Sequence, residues 1–155
     1  MGDGTNTLDC VSVALVNAGL GQISNASQDW FITQGWLPDG DPMVDRAIAI
    51  YDYPGRPPER GSLNPLDYPS VQVVVRGNQN DYALVRDKIQ AIFMALNEQE
   101  AALATVSASP FIYFYSQASA PISMGRDTNK RPKLAWNFRS MRYRPGFGPA
   151  GASIP

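Results

Sequence analysis

The run Ser70-Val-Gln-Val-Val-Val-Arg76 sets Val71, Val73 and Val75 at every second position. A period of two in β-branched residues is that of a strand, and one this apolar belongs in the middle of a sheet rather than at its edge. Upstream, residues 46–53 alternate Ile48 and Ile50 against Ala49, Tyr51 and Tyr53, which gives a second strand. The intervening residues 54–69 contain five prolines. Proline supplies no backbone donor to a ladder, so the whole segment is expected to be a stiff loop and a candidate contact surface. Downstream, Tyr82, Val85, Ile89, Ile92, Phe93 and Leu96 recur at helical spacing behind the capping candidates Asn80 and Asp81, while Arg86, Lys88, Gln90 and Asn97 face elsewhere.

Further out the signals weaken. Leu8, Val11, Leu15 and Val16 follow the caps Asn6 and Thr7 and precede Gly19 and Gly21, which predicts a first helix. Residues 29–36 carry aromatic and β-branched side chains ahead of Pro38, Asp39 and Gly40 and are read as a strand. Residues 111–115 form an aromatic strand expected to reach Ile122 and Met124. A polar turn at 127–132 joins it to a strand at 133–143, with Trp136 and Phe138 on one face. The tail from Pro145, rich in glycine and proline, reads as an extended arm. Helix, two or three strands, helix and hairpin add up to an α+β fold. The expectation is an antiparallel or mixed sheet of four to five strands, two helices packed on one face, a protruding β-hairpin and an extended C-terminal arm. It places one domain at residues 1–144 and the arm at 145–155.

Length and composition agree with one domain, since 155 residues with 44% hydrophobic content suffice for a single core. No stretch approaches the roughly 20 apolar residues of a membrane span, and no signal-peptide pattern opens the chain, so a soluble protein made in the cytoplasm, without membrane contact, is expected. The one cysteine, Cys10, has no internal partner and is expected as a small core residue. Histidine is absent. That excludes histidine-based triads and most zinc sites, so neither catalytic residues, metal nor cofactor is expected.

Net charge is −1, yet its distribution is uneven. Arg126, Lys130, Arg131, Lys133, Arg139, Arg142 and Arg144 stand against one acid, Asp127, in residues 126–144, so that of 14 acids and 13 bases the remainder holds 13 acids and 6 bases. This cluster, with Arg56 and Arg60 from the proline-rich segment, is the candidate interface or channel lining. Its plain alternative is a solvated hairpin, and alternation sets Arg139 opposite Phe138 while Arg142 shares parity with it, so the charges do not line one groove. Tyr113, Phe114 and Tyr115 offer a stacking platform for single-stranded nucleic acid, but aromatic strands are more often core. The segment from Gly55 to Gly61 lacks the Gly-Lys-Ser/Thr ending of a phosphate loop. Asp39, Asp41 and Asp45 lack the later glutamate of a calcium loop and read as solvated turn residues.

Four segments together carry a resemblance: Ile48-Ala-Ile-Tyr-Asp-Tyr-Pro-Gly-Arg-Pro-Pro-Glu59, Pro69-Ser-Val-Gln-Val-Val-Val-Arg-Gly77, the helix at 82–96, and Met124-Gly-Arg-Asp-Thr-Asn-Lys-Arg-Pro132 leading to Asn137-Phe-Arg139. In this order, over residues 46–143, the chain resembles bacteriophage minor capsid proteins that look like tail terminators of phages with long, non-contractile tails. It departs from them at the turn Asn129-Lys130, where glycine is expected, and in the tail from Pro145. The resemblance implies a structural virion protein of the neck or tail. Such a protein is a homo-oligomeric ring, typically a hexamer, that caps the tail tube protein, docks to a head-completion or connector protein and lets genomic DNA pass, after assembly in the host cytoplasm. A head-closure or other neck component, or a nucleic-acid-binding module using the basic hairpin, are the alternatives.

Overall fold

A computed structural model describes residues 7–23, 30–38, 45–56, 68–96, 112–118 and 121–143; for 53–56, 68–69, 112–118 and 138–143 it describes the backbone only. Along the chain run α1 (Thr7–Asn17), β1 (Phe31–Gln34), β2 (Ala47–Arg56), β3 (Tyr68–Arg76), α2 (Tyr82–Leu96), β4 (Ile112–Ala118), β5 (Ile122–Arg126) and β6 (Pro132–Tyr143). Five strands lie in the order β1-β2-β3-β6-β4, with β5 also paired to β6. The valine run therefore occupies the centre, as its composition requires. β1 pairs with β2 in parallel and every other pairing is antiparallel, so the sheet is mixed.

Val71, Val73 and Val75 sit opposite Phe138, Trp136 and Leu134 of β6. Ile48 and Ile50 of β2 join them on the face that both helices cover, where Leu8, Val11 and Leu15 of α1 meet Val85, Ile89, Ile92 and Leu96 of α2. Each such side chain removed from water contributes about 2 kcal/mol, and together they are the main source of stability. Phe93 stacks on Trp136 with ring centroids 4.7 Å apart. Cys10 is buried in the same cluster. α1 ends as its glycines require: Gly19 takes φ +73°, and the Gly19 and Leu20 amides donate back to the Val16 and Leu15 carbonyls, closing the helix end.

The opposite face buries Ala49, Val74 and Ala135 under Leu37 and Tyr51. A parallel β1–β2 pair needs a crossover, and Leu37 belongs to the segment that leaves β1 for it.

Three expectations change. The proline-rich loop is shorter than residues 54–69: β2 continues to Arg56 and β3 starts at Tyr68, with Arg56 opposite Tyr68 and a register shift after Tyr53. The extra residue of that irregularity falls at Pro54-Gly55, where a strand tolerates a missing donor. The rest of the segment, including Arg60, lies outside the described residues, as does the arm at 145–155. Tyr82 does not join the apolar stripe of α2, nor Val16 that of α1; both are exposed, while Leu15 and Val85 beside them are fully buried. The strand expected from 111 to 124 is two strands. Ala118 of β4 pairs with Phe138, and Ile122 of β5 with Ala135. Since β3 pairs with those same two β6 residues from the other side, β4 and β5 share one edge of β6.

Candidate basic hairpin site

The β5–β6 hairpin turns through residues 127–131. The Lys130 amide donates to the Asp127 carbonyl (2.9 Å) and the Asp127 amide to the Arg131 carbonyl (3.1 Å). Lys130 takes φ +60°. A tight turn followed by one left-handed residue is a three-residue hairpin loop with a bulge, and glycine is the residue that suits its last position. The glycine missing from the sequence is missing at this position. Asp127 compensates for it. One carboxylate oxygen accepts from the amides of Asn129 and Arg131, both at 2.9 Å, and the other from Arg131 Nε at 2.8 Å. Burial pushes the Asp127 carboxyl up, but the bonds from the Arg131 amide and guanidinium and the Asn129 amide outweigh it, holding the group below the usual carboxylate range.

Arg131 is only 5% exposed and also meets Asp45 at 3.4 Å. The hairpin tip is thus tied to the residues that lead into β2. A second tie runs through the turn ahead of α2. Arg126 Nη1 donates to the carbonyls of Gln79 (2.9 Å) and Lys130 (2.6 Å), and Gln79 Nε2 to the Asn129 carbonyl. Asp81, just ahead of α2, accepts from Arg46 Nε at 2.9 Å and from the Asn78 amide at 3.1 Å; the Arg46 bond, the largest influence, lowers its pKa despite burial. Gly77 makes the tight approach work, since a Cβ there would stand 2.6 Å from Asp81 Cβ and 2.8 Å from Val85 Cγ2. Around these ties lies an open polar depression of about 470 Å³ lined by Asp45, Asn78, Gln79, Asn80, Asn129 and Arg131.

Arg76 was no candidate in the sequence, yet it organises this end of the sheet. It is fully buried beside Val74's face, and donates from Nη2 to the Pro38 carbonyl at 2.6 Å and from Nε to the Asp45 carbonyl at 3.2 Å. The available signal was a charged residue closing a valine run one register step out of phase with Val71, Val73 and Val75.

The basic residues that cluster in sequence do not cluster in space. Arg126, Lys130, Arg131 and Lys133 stand at the hairpin end, Arg126 and Lys130 exposed and Lys133 half-buried. The backbones of Arg139 and Arg142 lie farther along β6, opposite Ser70 and Tyr113. At the strand rise of about 3.3 Å per residue, the chain runs roughly 36 Å from Arg131 to Arg142. Arg56, opposite Tyr68, belongs to that distant end too.

The model of a family described as bacteriophage tail terminator protein matches residues 14–140, a span from within α1 to most of β6. The chain belongs to the bacteriophage tail terminator family. As a tail terminator family member it is a structural protein of the virion tail. A chain in the solved structure of the virion of a native gene transfer agent (GTA) particle is similar in fold, with TM-score 0.61 and 13% identity, covering 88% of this chain and 93% of that one. Comparison with curated proteins finds no match. In this family member no described helix is long and apolar enough to cross a membrane.

Proposed function

We propose that this chain forms a ring, a hexamer, that caps the completed tail tube in the neck of the particle and offers its other face to the head-completion or connector protein. The family match over residues 14–140 carries the reading. The ring assembles in the host cytoplasm on the tube protein, and genomic DNA passes its channel. Architecture supports the reading: a hairpin clamped by Arg131, Arg126 and their acceptors is a rigid projection, and rigid projections lose little entropy on docking. Arg126, Lys130, Lys133, Arg139, Arg142, Arg56 and Arg60 serve the subunit interface or channel; Arg131 acts behind them by holding the tip.

Light scattering on the eluting protein, and a cryo-EM map of the particle neck, test this. A closed ring at the head-proximal end of the tube is the expected result; a lone monomer in mature particles, or a position in the capsid shell, overturns it. Position also separates a terminator from a head-closure component. Because exposed ion pairs contribute on the order of 1 kcal/mol or less and are screened, high salt is expected to loosen the ring. The two exposed bases at the hairpin tip favour passing contact with DNA as a second reading, which requires affinity that falls steeply with salt.

A further inference from the structure

At the hairpin end of the sheet the charges of the described residues do not balance. The segments that meet there, 45–46, 76–81 and 126–133, carry six bases against the three acids Asp45, Asp81 and Asp127. All three acids are engaged, Asp81 by Arg46, and Asp127 and Asp45 by Arg131. Arg76 is buried and donates to the Pro38 and Asp45 carbonyls. Arg126, Lys130 and Lys133 remain, and among the described residues none of them meets a carboxylate. Arg126 spends one nitrogen on the Gln79 and Lys130 carbonyls, which leaves its charge uncompensated.

Beside these bases lies the open depression of about 470 Å³, and none of its six lining residues is apolar. Four are amides. Asn80 is bonded there through its backbone N–H, to Asn78 Oδ1, and Asn129 through its backbone N–H and carbonyl, so both carboxamides keep their donors for a ligand. The bond from Gln79 Nε2 to the Asn129 carbonyl and the Asp127–Arg131 clamp fix the two walls against each other. Protein–protein contacts are built around a desolvated apolar or aromatic centre, which this lining does not offer. Carboxamide and cationic donors together match the sugar-phosphate backbone of nucleic acid, whose oxygens they meet irrespective of base sequence. Exposed bases on long stems also make contacts that salt screens, as a strand that must move past requires.

Resting on the reading that genomic DNA passes a ring of this chain, we infer that the depression between the turn at 78–80 and the hairpin tip, with Arg126, Lys130 and Lys133, holds the phosphate backbone of duplex DNA, so that this end of the sheet faces the channel.

The test titrates the full chain with a short labelled duplex at low salt, with the oligomeric state read by light scattering in the same buffer. Binding that weakens steeply with salt, equally for two unrelated base sequences, is the expected result. Lys130→Gln/Lys133→Gln should weaken it about tenfold and flatten the log–log salt dependence by about 2. Asn80→Asp, which puts a carboxylate into the depression and keeps the backbone bond to Asn78, should weaken it as well, and carries the test should the double variant lose its thermal unfolding transition. Arg86→Gln removes an exposed base from α2 and should change neither affinity nor slope. No affinity at low salt, selectivity for one base sequence, or a loss from Arg86→Gln as large as that from the hairpin pair overturns the inference. So does tighter binding of polyglutamate than of duplex at matched charge, which would make an acidic protein the partner. Rings that ignore DNA refute this inference and leave the ring reading standing; a chain that binds DNA as described but stays monomeric refutes the ring reading instead.

Discussion

The helix-covered face of the sheet and its hairpin end are held by opposite means. On the first, Val71, Val73, Val75, Ile48 and Ile50 meet two helices through apolar burial alone. At the second, Asp127, Asp81, Arg131, Arg126 and Arg46 bind loops that have almost no apolar side chains to offer. Burial is insensitive to pH and strengthened by salt, whereas the clamp depends on two ionised carboxylates. The core sustains the fold, and the clamp aims the hairpin.

The largest expected effect attacks the core. Ile89→Ala, a cavity in the middle of the α2 stripe, should cost about 3 kcal/mol in chemical denaturation, with the hairpin amides losing protection only on global unfolding. Arg131→Met should cost less, about 2 kcal/mol, since it strands the Asp127 carboxylate but keeps the buried stem; its distinctive sign is faster hydrogen exchange confined to residues 126–131. Comparable exchange in both regions would erase the distinction between them.

Acid should separate the regions without mutation. The carboxyls of Asp81 and Asp127 are held below 3.8 in the folded protein, so their contribution is complete above that value and lost as pH falls through the lower folded-state pKa. Melting temperature should therefore decline on acidification below about pH 4 more in the unaltered protein than in Asp127→Asn, which has no proton to take up there. Equal slopes would show that the clamp carries no net charge stabilisation. The smallest effect has the opposite sign. Lys130→Gly should raise stability by about 1 kcal/mol, because the left-handed backbone at this position is strained for any side chain; a loss would mean that the lysine makes up for its strain elsewhere.

What could be read in advance divides along the same line. The valine run, the alternation of Ile48 and Ile50, and the spacing of Val85, Ile89, Ile92 and Leu96 revealed the central strand, its neighbour and the second helix, since burial on one face leaves a period in the sequence. Asp127 and Arg131 are near neighbours in the chain, but their bond was hidden because many side-chain pairings fit such a spacing. Arg76 and Asp45, or Arg46 and Asp81, lie more than thirty positions apart, and no pattern marks them.

The seven bases of residues 126–144 show the limit most clearly. Counting them was enough to single out the hairpin region, and the absence of histidine was enough to set aside a large part of enzyme chemistry. Sequence alone thus determined the α+β class, the buried faces and the order of the main elements, because these follow from periodicity and composition. Only the tertiary structure decided that Arg131 is an internal clamp while Lys130 is exposed to solvent, that Arg139 and Arg142 lie far along β6, and that β5 pairs with β6 alone among the described residues. Those outcomes depend on which strand lies beside which, and adjacency between distant segments leaves no local period to read.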